Sequence, residues 1–270
     1  MTGTEAAVGR IDTSRPHPAR VYDWFLGGKD NYPVDEELGR RISAADGGAP
    51  RVARANRSFM RRATRRIVHE TGIRQFLDIG SGIPTEPNLH QVAQAAAPES
   101  RVVYVDNDPI VLAHAGALLR GTPEGATEYV QADARAPRTI LEQAGRVLDF
   151  GRPVALSLIA LLHFVADDDG AHELVDELVA ALAPGSCLVL SAMTADFEPE
   201  HVRRGIAMYA AGGVTLVARS HAEVSGFFHG LDLMDPGVVS VAEWHPEPAE
   251  HVTSSSEGPV SLYGGVGVKP

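Results

Sequence analysis

The chain is 270 residues long, 44% hydrophobic and 22% charged, with a formal net charge of −11 and a single cysteine, Cys187. That length suits one large domain with a sizeable core; the acidic balance argues against general binding to nucleic-acid phosphates, and a lone cysteine excludes an internal disulfide. No apolar run approaches the ~20 residues of a membrane helix, and no basic start followed by an apolar stretch marks a secretory leader, so a soluble protein of a reducing, cytoplasmic compartment is expected.

The charge is uneven. Residues 1–74 carry a net +5 and residues 75–270 a net −16, which predicts a separate N-terminal layer packed on an acidic main domain. The expected division is a flexible tail over 1–14, a helical cap over 15–72 and the main ligand-binding domain over 73–270. In the cap, Pro16 and Pro18 open a short helix, Gly27 and Gly28 end it, and Pro33 opens a second. Between them Tyr22, Trp24, Lys29, Asp30, Asn31 and Tyr32 concentrate aromatic and hydrogen-bonding groups. A long helix follows over 51–71, with Val52, Ala55, Phe59, Ala63 and Ile67 at three- and four-residue steps and most arginines off that stripe. Arg57, beside Asn56, is the arginine expected to reach the site.

From Gln75 the pattern alternates. Apolar strands are predicted over 75–79, 101–105, 127–131, 154–159 and 186–192, and helices over 86–96, 109–119, 137–148 and 169–182. Strands joined by helices in this way specify an open α/β parallel sheet with helices on both faces. Farther on, Ser220 and Glu223 form a capping box for another helix. Two more strands are predicted over 231–241 and 261–268; no helix separates them, so they should be antiparallel. Cys187 falls in an apolar strand, as a buried, inert thiol.

Ligands of such a sheet bind outside the carboxyl ends of the strands. The first end, QFLDIGSGIPT, offers Asp78, Gly80, Ser81 and Gly82, where the glycines would bare backbone N–H groups to a ligand and accept positive φ. The second offers Asp106, suited to the vicinal hydroxyls of a ribose, with Asn107, and with Asp108 as a helix cap before Pro109. The third offers Asp133 and Ala134 for a purine amino edge, and the fourth Ser157 and His163. A dinucleotide fold would want a third glycine where Thr85 stands, and Glu86 is acidic where a pyrophosphate would sit. S-adenosylmethionine (SAM), which lacks phosphate and carries two cationic centres, suits these acids better. No His or Cys spacing suggests a metal.

DIGSGIP, VDND, QADAR and the terminal antiparallel strands resemble class I SAM-dependent methyltransferases. More narrowly, PHPARVYDWFLGGKDNYPVD, ARANRSFMRRA, FLDIGSGIPTEPNLHQVAQ, VYVDNDPIVLAHA, LLHFVAD and YGGVGVKP are similar to an actinobacterial group of S-adenosyl methyltransferases of unassigned substrate. The resemblance implies a Rossmann-like, seven-stranded, mostly parallel sheet with its last strand antiparallel, plus an N-terminal helical extension. It implies SAM at Asp78, Gly80, Ser81 and Gly82, ribose at Asp106, adenine beside Asn107, Asp133 and Ala134, and a lid or substrate wall from Tyr22, Gly28, Lys29, Asp30 and Asn31. Pro84 departs from the small residue common in that class. ALLHF stands where an NPPY-type sequence would mark nucleobase or glutamine methylation, so a small-molecule acceptor is expected. His163 is the first candidate base, followed by Tyr22, Tyr32 and His90. The rival readings are an NAD(P)-dependent reductase and a non-catalytic SAM-binding sensor.

Overall fold

The protein is described from a computed structural model covering residues 12–46, 48–111, 120–247 and 260–270. Most of the expected tail, most of the helix expected over 109–119 and most of the loop before the last strand lie outside these residues.

Three helices lead: α1 (Pro18–Phe25), α2 (Pro33–Asp46) and α3 (Ala49–Glu70). The sheet is built from β1 (Gln75–Ile79), β2 (Arg101–Asp106), β3 (Ala126–Gln131), β4 (Ala155–Ile159), β5 (Cys187–Met193), β6 (Asp232–Leu233), β7 (Val239–Ser240) and β8 (Leu262–Val268). The intervening helices are α4 (Leu89–Ala96), α5 (Pro137–Ala144), α6 (Ala171–Ala180), α7 (Pro199–Ala211) and α8 (His221–Gly226). Strand order is β3-β2-β1-β4-β5-β8-β6. Strands β1 to β5 run parallel, and β8 runs antiparallel to β5, as the sequence predicted.

Buried parallel strands carry apolar side chains on both faces, and each neighbour in sequence enters a different core. Phe76 packs with Val102 and Val189 beneath Phe59, Ala63 and Ile67 of α3 and Leu89 of α4. Leu77 packs with Val103 and Leu156 against Ile140 of α5 and Leu174 and Leu178 of α6. A third core joins Val21 and Phe25 of α1 and Leu38 and Ile42 of α2 to Ala53 of α3, Tyr209 of α7 and Leu216.

Three expectations are corrected. The strand predicted over 231–241 is two short pieces, β6 and β7, pairing with opposite ends of β8; between them Gly237 N–H donates to Met234 O at 2.8 Å in a turn through Pro236. Proline cannot donate to a ladder, so the strand breaks there. Helix α7 was not foreseen, although Val202, Ile206 and Tyr209 have helical spacing and Pro199 sits at its first turn. Not every arginine of α3 faces solvent: Arg62 is buried and donates to Trp244 O and Val241 O, fastening the helix to the chain before β8.

Candidate functional site

At the end of β1 the chain bends through Gly80 and Gly82, both left-handed at φ 76° and 65°. Only glycine takes such a backbone without strain, and a Cβ on Gly80 would stand 2.8 Å from Leu161 Cδ1. The expectation that this bend bares its N–H groups to a ligand is corrected. Gly80 and Ser81 N–H both donate to Val105 O, at 2.8 and 3.1 Å, and Gly82 N–H donates to Asp106 Oδ2 at 2.8 Å. The bend is stitched to the tip of β2, with no amide from 80 to 82 left for a phosphate.

Around it lies a cleft of about 1070 Å³, counting its open mouth, walled by the tips of β1, β2 and β3, the exit of β4, and α1 and α3. Its acids sit in different environments. Burial pushes the Asp78 carboxyl up to about 6; the Ser157 hydroxyl and the Arg57 guanidinium pull it down, and Asp106 pushes it further up. Asp106 is also raised by burial, against the N–H groups of Asp108 and Gly82 and nearby His17. Asp133 is lowered, chiefly by Arg135, which meets both its oxygens at 3.0 and 2.7 Å. The cleft is therefore acidic at its floor, a surface that favours a cation and repels a phosphate.

Helix α1 is held on this rim by buried charge. Arg20 Nε donates to Asp108 Oδ2 at 2.9 Å, its NH1 is 3.6 Å from Asp35, and its guanidinium lies over Tyr32. Asp108 also accepts from Ile110 N–H at 3.1 Å, the bond expected of a cap before Pro109. Tyr22, on the inner side of α1, starts a hydrogen-bond chain: its hydroxyl donates to Ala53 O and accepts from Asn56 Nδ2, and Asn56 Oδ1 accepts from Ser191 Oγ. Ser191 accepts from Ala160 N–H, and Ala160 has a left-handed φ of 55°. Pro18, Tyr22, Ala160 and Phe164 are shared with a second, mainly apolar cavity of about 860 Å³, counting its open mouth, beneath α1, α2 and α7.

Asp78, Gly80, Ser81, Gly82, Asp106, Asn107, Asp133, Ala134, Tyr22 and Arg57 all line the first cleft. Arg57 acts on Asp78 through its charge, and it donates to Thr85 O and Pro87 O, clasping the chain after the bend. Ser157 is not on the wall but pairs in register with Asp78 behind it. His163 lines the second cavity instead. The segment from Gly28 to Asn31 does not line either cavity: Asp30 N–H and Asn31 Nδ2 donate to Asp23 Oδ2, Lys29 points into solvent, and a Cβ on Gly28 would collide with Asp23. His90 is buried against the Tyr104 hydroxyl. Sequence reasoning missed His17 and Ala19 of the cap and Ala160, Leu161 and Phe164 after β4, all on the cleft wall; the left-handed Ala160 left no composition signal. Among the described residues no group of three or more His, Cys, Asp or Glu could hold a metal, and no helix is long and apolar enough to cross a membrane.

Parallel strands in the order 3-2-1-4-5, closed by a reversed strand, form the architecture of class I methyltransferases that use SAM, and the cleft opens at the carboxyl ends where such a sheet takes its ligand. Comparison with known proteins makes the assignment specific: the chain belongs to the S-adenosyl methyltransferase family, whose model matches residues 4–270. It is similar to a DUF574-family protein of Streptomyces avermitilis, with 49% identity and a TM-score of 0.93 over 97% of this chain and 100% of that one. A Thermobifida fusca protein is 35% identical, with a TM-score of 0.84 over 100% and 99% of the two chains. The trans-aconitate 2-methyltransferase of Paracidovorax citrulli is 30% identical over 200 residues, 72% of this chain and 68% of that enzyme. The chain is a SAM-dependent methyltransferase, and nothing favours the nicotinamide or sensor readings.

Proposed function

We propose that the protein methylates a small-molecule acceptor held in the second cavity, beside a cofactor held in the first. The observation that carries this is the shared wall at Pro18, Tyr22, Ala160 and Phe164, which brings the two spaces together beyond β4. Asp106 would grip the ribose hydroxyls, with Asn107, Asp133 and Ala134 beside the adenine. Asp78, backed by Ser157, would meet the amino-acid end over the Gly80–Ser81–Gly82 bend. The buried carboxylates and the absence of free bend amides fit a ligand that is cationic and has no phosphate. SAM supplies an electrophilic methyl: the acceptor's lone pair forms the new bond as the S–CH₃ pair goes to sulfur.

The chain's own part is alignment and exclusion of water, for which oriented encounter supplies ~7–11 kcal/mol. Residues 15–72 act as the cap over the main domain from 73 onward, and the chain from Ala53 through Tyr22 and Asn56 to Ala160 fixes the passage between the two spaces. Gly28, Asp30 and Asn31 serve the cap indirectly, by bracing Asp23 at the end of α1, while Lys29 stays in solvent. Tyr22 and His163 position rather than take a proton: the Tyr22 hydroxyl is committed to Ala53 and its pKa is raised by burial, while His163 is pushed down to about 3 by burial and then by Arg219. A small acceptor agrees with the name of the Paracidovorax citrulli relative, and a cytoplasmic setting agrees with a buried lone thiol.

Calorimetry with S-adenosylhomocysteine (SAH) tests the cofactor site. Asp106→Ala is expected to weaken SAH at least roughly tenfold, the loss of one charge-assisted bond, and unchanged affinity would remove the ribose assignment. NADH and NADPH should not bind. Turnover of labelled methyl across a metabolite panel separates an enzyme from a sensor.

A further inference from the structure

We infer that the second cavity takes an uncharged, largely apolar acceptor that presents one hydrogen-bonding group to His163. This rests on the proposed reading of the two cavities and narrows its substrate class. Phe25 of α1, Ile42 of α2, Val52 of α3, Met193 of β5 and Val202 of α7 set the lining. Among the described residues of that lining there is no lysine or arginine, and the one carboxylate, Glu198, accepts from Ser261 Oγ at 3.1 Å and lies 3.7 Å from His201 Nδ1. A polycarboxylate entering this space would lose its water and meet no lysine or arginine in exchange, and Glu198 would repel it.

His163 supplies the polar anchor. It is 5% exposed, lines the cavity and leaves its Nδ1 buried without a partner. Buried ring nitrogens are normally satisfied, so an imidazole with an unpaired nitrogen in a cavity's lining is a place for a ligand group. The low pKa keeps the ring neutral through the working pH range, with one N–H and one lone pair to offer. The two spaces therefore differ in chemistry: an acidic one for the cationic cofactor, and a largely apolar one without lysine or arginine for its partner.

The test is binding of the neutral fluorophore N-phenyl-1-naphthylamine, titrated with and without SAH. A single saturable site with micromolar affinity is expected in both cases, with trans-aconitate and citrate failing to displace the probe. Gly205 of α7 lines the cavity, and a Cβ there would meet nothing within 4 Å, so Gly205→Phe should fill the space, lower probe affinity at least tenfold and leave SAH affinity within twofold. Wild-type protein should also prefer 1-naphthol to naphthalene at least fivefold, a preference that His163→Leu erases. Absence of probe binding, binding unchanged by Gly205→Phe, a persistent naphthol preference in His163→Leu, or displacement by trans-aconitate would each overturn the inference. The SAH arm reads the cofactor cleft separately: loss of SAH binding sinks the reading of the first cleft, whereas normal SAH binding with no probe binding sinks only this one.

Discussion

Asp78 is a buried carboxylate that costs the fold some stability and, in the proposed function, meets a positive partner. Its pKa of about 6 lies above the ordinary 3.8 because burial disfavours the charged form. A carboxylate raised in this way costs nothing where it is protonated in both states, below about pH 4, and its full penalty is present above about pH 6. Asp78→Asn is therefore expected to stabilise the ligand-free protein at pH 8 by up to about 3 kcal/mol and to leave it unchanged at pH 4, as urea denaturation at the two pH values would show. The same change should weaken SAM, and wild-type affinity should fall as pH drops through about 6, with up to one proton released on binding near about pH 5 and none above about pH 7, which calorimetry in buffers of different ionisation enthalpy can count. The carboxylates at strand tips were legible in the sequence because each follows an apolar run directly. The fate of the Gly80–Gly82 amides was not, because it depends on where β2 ends beside β1, a register that no local pattern states.

At the scale of elements, α1 is short, Pro18–Phe25, and it is kept in place by Arg20 as well as by Val21 and Phe25. Removing one member of a buried ion pair typically costs ~3–5 kcal/mol, because the partners stay buried without compensation. Arg20→Met leaves Asp35 and Asp108 in that state. Hydrogen exchange is expected to show α1 losing protection while β1, β2 and β4 keep theirs; protection retained in α1 would mean that Val21 and Phe25 suffice. The five parallel strands were readable because strands buried on both faces are continuous apolar runs. Helix α7 was overlooked because its apolar stripe is interrupted by Arg203, Arg204 and Gly205, and the edge strand was overextended because Asp235-Pro236-Gly237 was read through rather than as a turn. Arg20 and Arg219 carried no signal in the sequence; Arg219 is buried, donating to Leu162 O and Val165 O and shaping the chain after β4.

For the molecule as a whole, one core lies on each face of the sheet and a third under the cap. Removing residues 1–32 takes away His17, Pro18, Ala19 and Tyr22 from the cleft wall but no member of the two sheet cores. The shortened protein is expected to keep its β-sheet circular dichroism, bind SAH more weakly and lose methyl transfer; full activity would remove the cap from the mechanism. The sealed bend after β1 also bears on life among competitors. ATP carries the same nucleoside as SAM at far higher abundance in a cell, and an entrance that judged visitors by adenosine alone would be clogged. Here a polyphosphate tail would run into Asp78 and find the amides of the Gly80–Gly82 bend already spoken for, so the proposed site would sort its guests by the sign of the tail, without any dedicated gate.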